Sequence, residues 1–213
     1  MKYILFVVLF YISWSIDAQI IESDTIQLND ILISNKKPKI KRTRTRSFCL
    51  SYEHLLFKPQ FITLIDKFPP AYLHSVTFNF NNMVDRDIFP DIEKYPVITE
   101  DTKLEVLFYD ANPDGTPGKP LANNKTFTVK KDFQGAMKID LSPLYIKTNG
   151  KFFIGLKRDI QPPAYFRSFE VDFCCHTGKY ISYIRKSDND SWVKNESIHS
   201  TAPKMTVEVA VYK

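Results

Sequence analysis

Residues 205 to 212 read MTVEVAVY, and in that run Met205, Val207, Val209 and Val211 alternate with Thr206, Glu208 and Ala210. Successive side chains of an extended strand point to opposite faces, so a two-residue apolar period sends one set into a core and the other outward. A helix would need apolar residues three and four apart instead. The same alternation holds in 75-SVTFNF-80, where Val76, Phe78 and Phe80 share a face. In 168-SFEVDFCC-175, Phe169, Val171, Phe173 and Cys175 oppose Glu170, Asp172 and Cys174, which places Cys175 in the core and leaves Cys174 the more accessible.

Working outward, further strand-like runs occur at 60-QFITLIDKF-68, 103-KLEVLFYD-110, 125-KTFTVK-130, 136-AMKIDL-141, 152-FFIGLKR-158 and 180-YISYIR-185. Between them lie NPDGTPGKP, KKDFQG, KTNGK, QPP, HTGK and KSDNDS, clusters of the residues that favour turns. No stretch sustains a 3.6-residue apolar period over about twelve residues. The expected fold is all-β, an antiparallel β-sandwich of jelly-roll type with an N-terminal extended arm. An aromatic content of 14%, mostly Phe and Tyr, agrees with strands.

The chain opens with MKYILFVVLFYISWSIDAQ, a basic residue, a short apolar run and then small residues, which is the pattern of a secretory signal peptide over 1–18. No later run is apolar for long enough to be a transmembrane helix. The expected product is exported, to the periplasm, the cell surface or beyond. Residues 19–46 read as an extended arm and basic linker, and 47–213 as the sandwich domain. Lys36, Lys37, Lys39, Lys41, Arg42, Arg44 and Arg46 hold seven positive charges in one stretch. With these subtracted from the net +5, the remainder sums to about −2, so the globular part is not basic and nucleic acid is not an expected partner. Arg42, Arg44 and Arg46 alternate with threonines, which suits an extended, solvent-facing segment in which Lys41, Arg42, Arg44 and Arg46 touch an anionic surface or act as a solvated linker. Three cysteines, Cys49, Cys174 and Cys175, leave the pairing open.

The runs 103-KLEVLFYDANPDGTPGKPL-121, 126-TFTVKKDFQGAMKIDLSPLYIKTNGKFFIGL-156 and 179-KYISYIRKSDNDSWVK-194 follow one another in a recognisable order. They resemble the C-terminal β-sandwich region of exported Bacteroidetes-type proteins that carry a carboxypeptidase-regulatory-like domain. The segment 28-LNDILISNKK-37 is similar to the one that closes that domain. The regulatory-like domain itself is not expected here, because only a few residues separate the signal from the arm. The resemblance implies fold and a cell-envelope setting, and it brings no catalytic residues.

Several stretches look chemical. Asp110, Asn112 and Asp114, followed by Gly115, match the first half of a calcium loop, but the twelfth position falls on Leu121 where a bidentate Glu is needed. The alternative is a turn between strands, with no cofactor. Signatures of serine hydrolases, zinc proteases and nucleotide-binding loops are absent from a chain with six glycines. The carboxylates of 85-DRDIFPDIEKYPVITED-101 admit a glycan hydrolase, which works with two such groups. Trp192, Tyr180, Tyr183 and Tyr165 offer rings that stack on sugars or anchor a protein partner. Tyr180 and Tyr183 have opposite parity, so they cannot both face outward. The chain thus reads as a secreted, non-enzymatic binding or surface-interaction module for carbohydrate or another envelope protein. The alternatives are an assembly subunit engaging a partner through its arm, and a carboxylate-dependent glycan hydrolase.

Overall fold

Alternation and turn chemistry produce fifteen strands and no α-helix among the described residues. The structure, a computed structural model, describes residues 37–45, 49–53, 60–81, 101–130, 133, 135–158, 170–175, 180–196 and 201–212, with the backbone alone for 49–53, 81, 170–175 and 201. The signal segment, the arm before residue 37, Arg46, Tyr165 and the acidic stretch 85–100 lie outside these residues. Of two compact units, Met1–Ile33 is wholly outside them, and both sheets belong to Ser34–Lys213. No described helix is long and apolar enough to cross a membrane.

In chain order the strands are β1 (Lys39–Arg44), β2 (Cys49–Glu53), β3 (Gln60–Ile65), β4 (Ala71–Asn81), β5 (Thr102–Ala111), β6 (Pro117–Pro120), β7 (Lys125–Val129) and β8 (Gly135–Asp140). They continue with β9 (Lys147–Thr148), β10 (Phe152–Arg158), β11 (Glu170–Cys175), β12 (Ser182–Arg185), β13 (Val193–Lys194), β14 (Thr201–Pro203) and β15 (Met205–Val211). An eight-stranded sheet runs β1-β15-β4-β11-β14, with β2 on β11 and with β8 and β9 on β4. A seven-stranded sheet runs β13-β12-β3-β10-β5-β6, with β7 on β5. All pairings are antiparallel. Within them, β1-β15-β4-β8 and β3-β10-β5-β7 have the strand order of a jelly roll, the chain crossing between sheets to build it.

The main core lies between the sheets. β4 contributes Val76, Phe78 and Phe80, and β15 contributes Met205, Val207 and Val209, the sets that alternation assigns to one face. Phe61, Val106, Phe108, Phe152, Ile154 and Leu156 meet them from the seven-stranded sheet. That second sheet also buries its other face: Ile62, Leu64, Leu107, Tyr109, Phe153 and Tyr183 form a separate cluster against which Ala111 and Trp192 pack. Burial on both sides explains why QFITLI and FFIGL are buried at every position and mostly apolar on both parities, whereas the sequence of β15 alternates.

The basic stretch departs from the linker expected of it. Residues 39–44 are the edge strand of the eight-stranded sheet, in register with β15 from Lys39 opposite Val211 to Arg44 opposite Thr206. Thr45 closes the strand: its buried hydroxyl accepts from the Met205 amide (2.8 Å) and donates to the Pro203 carbonyl (2.5 Å). The strand is extended and mostly exposed, as its period-two pattern indicates, yet it is part of the sandwich.

Gly155 sits in the middle of β10, opposite Ile62 on one side and Leu107 on the other. A Cβ there would lie 1.8 Å from the Phe61 carbonyl oxygen and 2.7 Å from the Ile62 Cα, both backbone atoms that cannot swing aside. We expect Gly155→Ala to lower stability by about 3 kcal/mol, measured by urea denaturation. A loss under about 0.5 kcal/mol, the range of a neutral surface change, would show that β3 can move away.

Candidate functional site

Among the described residues, this packing leaves the outer face of the eight-stranded sheet polar and open. Register lays it out in rows. Arg42, Glu208 and Ser75 are successive partners across β1, β15 and β4, with Asp140 of β8 beyond them. In the next row Arg44, Thr206, Thr77 and Lys138 follow one another. Glu208 is the centre, at 5% exposure. Its Oε2 accepts from Lys138 Nζ and from Ser75 Oγ, both at 2.7 Å, and its Oε1 accepts from Arg42 Nε at 2.9 Å and from Arg42 Nη2. These donors, Lys138 and Ser75 foremost, hold the carboxyl down at about 2.

On the other side of Glu208 the face turns aromatic. Ile40, Ala210, Tyr72 and Lys147 are successive partners across β1, β15, β4 and β9. Tyr212 follows two residues after Ala210, and its ring meets that of Tyr72 edge-on at 5.6 Å. Ile40 is 42% exposed and Tyr212 38% exposed. Two residues before Lys147 stands Tyr145, 58% exposed, which closes the 3-10 turn Ser142–Leu144 with a left-handed φ of 48°. A tyrosine held there is strained, since its Cβ crowds the following carbonyl.

At the end of β1 the open face runs into a groove between the two sheets. Thr43, Arg44 and Thr45 line one wall, Leu64, Ile65, Asp66 and Lys67 another, and Tyr180 and Ile181 a third. Its void, counted out to solvent, is about 470 Å3. The amide of Leu64 donates to the Ile181 carbonyl at 2.8 Å, which fixes the two seven-stranded-sheet walls to each other.

The expected site residues scatter. Tyr180 and Arg44 come together in that groove, and Lys41 is exposed on the edge strand. Arg42 is instead the partner of Glu208, so its charge is used inside the fold. Tyr183 is 8% exposed, with its ring edge-on to Phe153 at 5.5 Å; burial pushes its phenol up and removes it as a platform. Trp192 covers the second cluster. The Arg185 guanidinium carbon lies 4.4 Å from the Trp192 ring centroid, and Tyr109 meets the same ring edge-on at 5.3 Å. Arg185 is fixed in turn by Gln60 Oε1 (2.6 Å), the Tyr109 hydroxyl (2.8 Å) and Asp188 Oδ1 (3.0 Å).

Asp110, Asn112 and Asp114 each make hydrogen bonds within the turn that joins β5 to β6. Asp114 Oδ1 accepts from the Thr116 hydroxyl (2.7 Å) and amide (2.9 Å), which together hold its carboxyl below the usual range. Asp110 Oδ1 accepts from the Ala111 amide at 2.9 Å. The Asn112 carbonyl accepts from the Gly115 amide at 2.9 Å, with Gly115 at a φ of 83°. Among the described residues, no three His, Cys, Asp or Glu side chains gather as a metal site. In the β2–β11 pair, Cys49 is in register with Cys175 and Leu50 with Cys174.

Sequence reasoning named neither Tyr72 nor Tyr212, although the signal was present. Tyr212 has the parity of Thr206, Glu208 and Ala210, the outward set of 205-MTVEVAVY-212. Tyr145 could not be found that way, because its exposure follows from a turn.

Glu208→Gln removes the charge that Arg42 and Lys138 share. Both cations are more than half exposed and rehydrate, so the expected loss is about 1–2 kcal/mol rather than the larger cost of orphaning buried charges. Because the folded-state value near 2 lies below the ordinary 4.5, the network contributes fully above about pH 4.5 and fades as pH falls toward 2. Urea denaturation at pH 7 and pH 3 should show the wild type losing stability that the variant never had; an equal loss in both proteins would contradict this.

Compared with protein-family models, with curated proteins and with solved structures, the chain matches none at a significant level.

Proposed function

We propose that the protein is an exported, non-enzymatic binding module that holds carbohydrate against the open face of its eight-stranded sheet. The carrying observation is the edge-to-face pair of Tyr72 and Tyr212 beside the exposed Ile40 on a face whose other rows are polar. Flat rings with a hydroxyl at one end suit sugar faces, since they supply apolar area and a hydrogen-bonding tip at little ordering cost. Lys147, the register partner of Tyr72, brings a polar group beside the pair, and the exposed Tyr145 stands two residues before it. Export rests on the N-terminal sequence pattern.

The described carboxyl groups support binding, while residues 85–100 of the acidic stretch that admits a hydrolase lie outside the described residues. A general acid needs its carboxyl raised toward neutrality. Among the described residues, every carboxyl with a perturbed value is pushed the other way: Glu208 by Lys138 and Ser75, Asp188 by Lys157, Asp140 by Ser142 and Asp114 by Thr116. Such groups suit structure and charge pairing.

A glycan-array screen of the mature chain, followed by calorimetry on the best hit, tests this reading. Tyr72→Ala and Tyr212→Ala should each weaken binding about tenfold or more. Tyr145→Gly separates structure from function: relief of the left-handed strain should raise stability by about 1 kcal/mol while binding falls. Trp192→Ala should lower stability and leave the affinity of the folded protein unchanged. Wild-type affinity in both Tyr72→Ala and Tyr212→Ala would overturn the assignment.

A further inference from the structure

Resting on that reading, we propose that the carbohydrate is an acidic polysaccharide and that the groove at the end of β1 receives its anionic groups, with Arg44 and Lys67 as charge partners. Arg44 belongs to both places. It ends the edge strand in the row of Thr206, Thr77 and Lys138 on the open face, and it also lines the groove. A chain running parallel to the strands from the tyrosine row, over the Arg42–Glu208 row, meets the groove without leaving the protein surface.

Charge selects the ligand class. Arg42, two residues before Arg44, is paired with Glu208. Among the described residues, no carboxylate forms an ion pair with Arg44 or Lys67. Lys37, Lys39 and Lys41 are exposed along the same edge, and Asp66 is the one carboxylate among the groove residues. The groove thus carries two cations to one carboxylate, and the edge strand that leads to it is basic. Arg44 presents a planar fork that matches a carboxylate or sulfate group, and Lys67 adds a point charge from the other sheet. Thr43 brings a hydroxyl and Ile181, 40% exposed, an apolar wall, the mixed lining that suits a sugar ring. A groove recessed between two sheets fits a flexible polymer better than a planar lipid surface, which cannot follow it inward.

The test uses the mature full-length chain with four probes: heparin for sulfate groups, polygalacturonate for carboxylates, dextran as a neutral polymer, and vesicles of phosphatidylcholine with phosphatidylglycerol. The expected result at low salt is binding to one or both acidic polymers that is at least tenfold tighter than to dextran and weakens as salt rises. Arg44→Gln with Lys67→Gln should weaken acidic-polymer binding about tenfold or more and flatten the salt dependence. The charge-matched control Lys103→Gln with Lys119→Gln, on β5 and its neighbour β6 at the opposite end of the other sheet's strand order from β12, should change it less than twofold. Lys67→Gln alone, which alters a loop side chain, keeps the test valid if the double variant fails to fold. Equal losses in groove and control variants would overturn the groove, as would preference for the vesicles. Binding to dextran as tight as to the acidic polymers would overturn the acidic ligand and leave the tyrosine face standing; no binding to any polymer would remove both.

Discussion

The constraint on which the molecule turns is that one of its two sheets buries both faces. β3, β5 and β10 supply Phe61, Val106, Phe108, Phe152 and Ile154 to the core between the sheets, and Ile62, Leu107 and Phe153 to the cluster on the other side. Burial on this scale, roughly 1.5–3 kcal/mol for each large side chain, leaves the middle of those strands nothing to spare for solvent or ligand. Gly155 belongs to the same constraint, since the Phe61 carbonyl occupies the place its side chain would take. Work at a surface then falls to the eight-stranded sheet.

That sheet keeps one polar face, and a single carboxylate organises it. Glu208 draws Arg42 from β1, Ser75 from β4 and Lys138 from β8, so three strands meet at one buried charge. The outermost strand, in which four of six residues are basic, is tied to its neighbour by this cluster and by Thr45. Tyr72 and Tyr212 lie to one side of the cluster, and Arg44 with the groove to the other.

Much of this was legible in the sequence where a residue's environment is set by its own strand. The alternation of 205–212 and 75–80 assigned Met205, Val207, Val209, Val76, Phe78 and Phe80 to the core, where they lie. The turn Asp110–Gly115 was legible as a turn, because Asp and Asn side chains bond nearby groups, Pro fixes its φ and Gly115 takes a positive φ. Residues whose roles depend on a partner far along the chain were not legible. Lys39–Arg44 shows a period of two whether or not β15 lies beside it, so pattern could give extension without pairing. Trp192 is engaged by Arg185 and Tyr109, and nothing in its neighbours announces that. Parity could have marked Tyr212 as outward, but its ring contact with Tyr72 requires the β4–β15 register.

The unequal exposure of the two sheets also governs how such a protein can change over generations. Substitutions in β3 or β10 meet packed atoms on both sides and are purged by their cost in stability. Outward positions such as Thr206, Thr77 and Tyr212 meet solvent on one side, where most replacements alter stability by no more than about 0.5 kcal/mol. A lineage can therefore redraw the chemistry of one face while inheriting the scaffold unaltered.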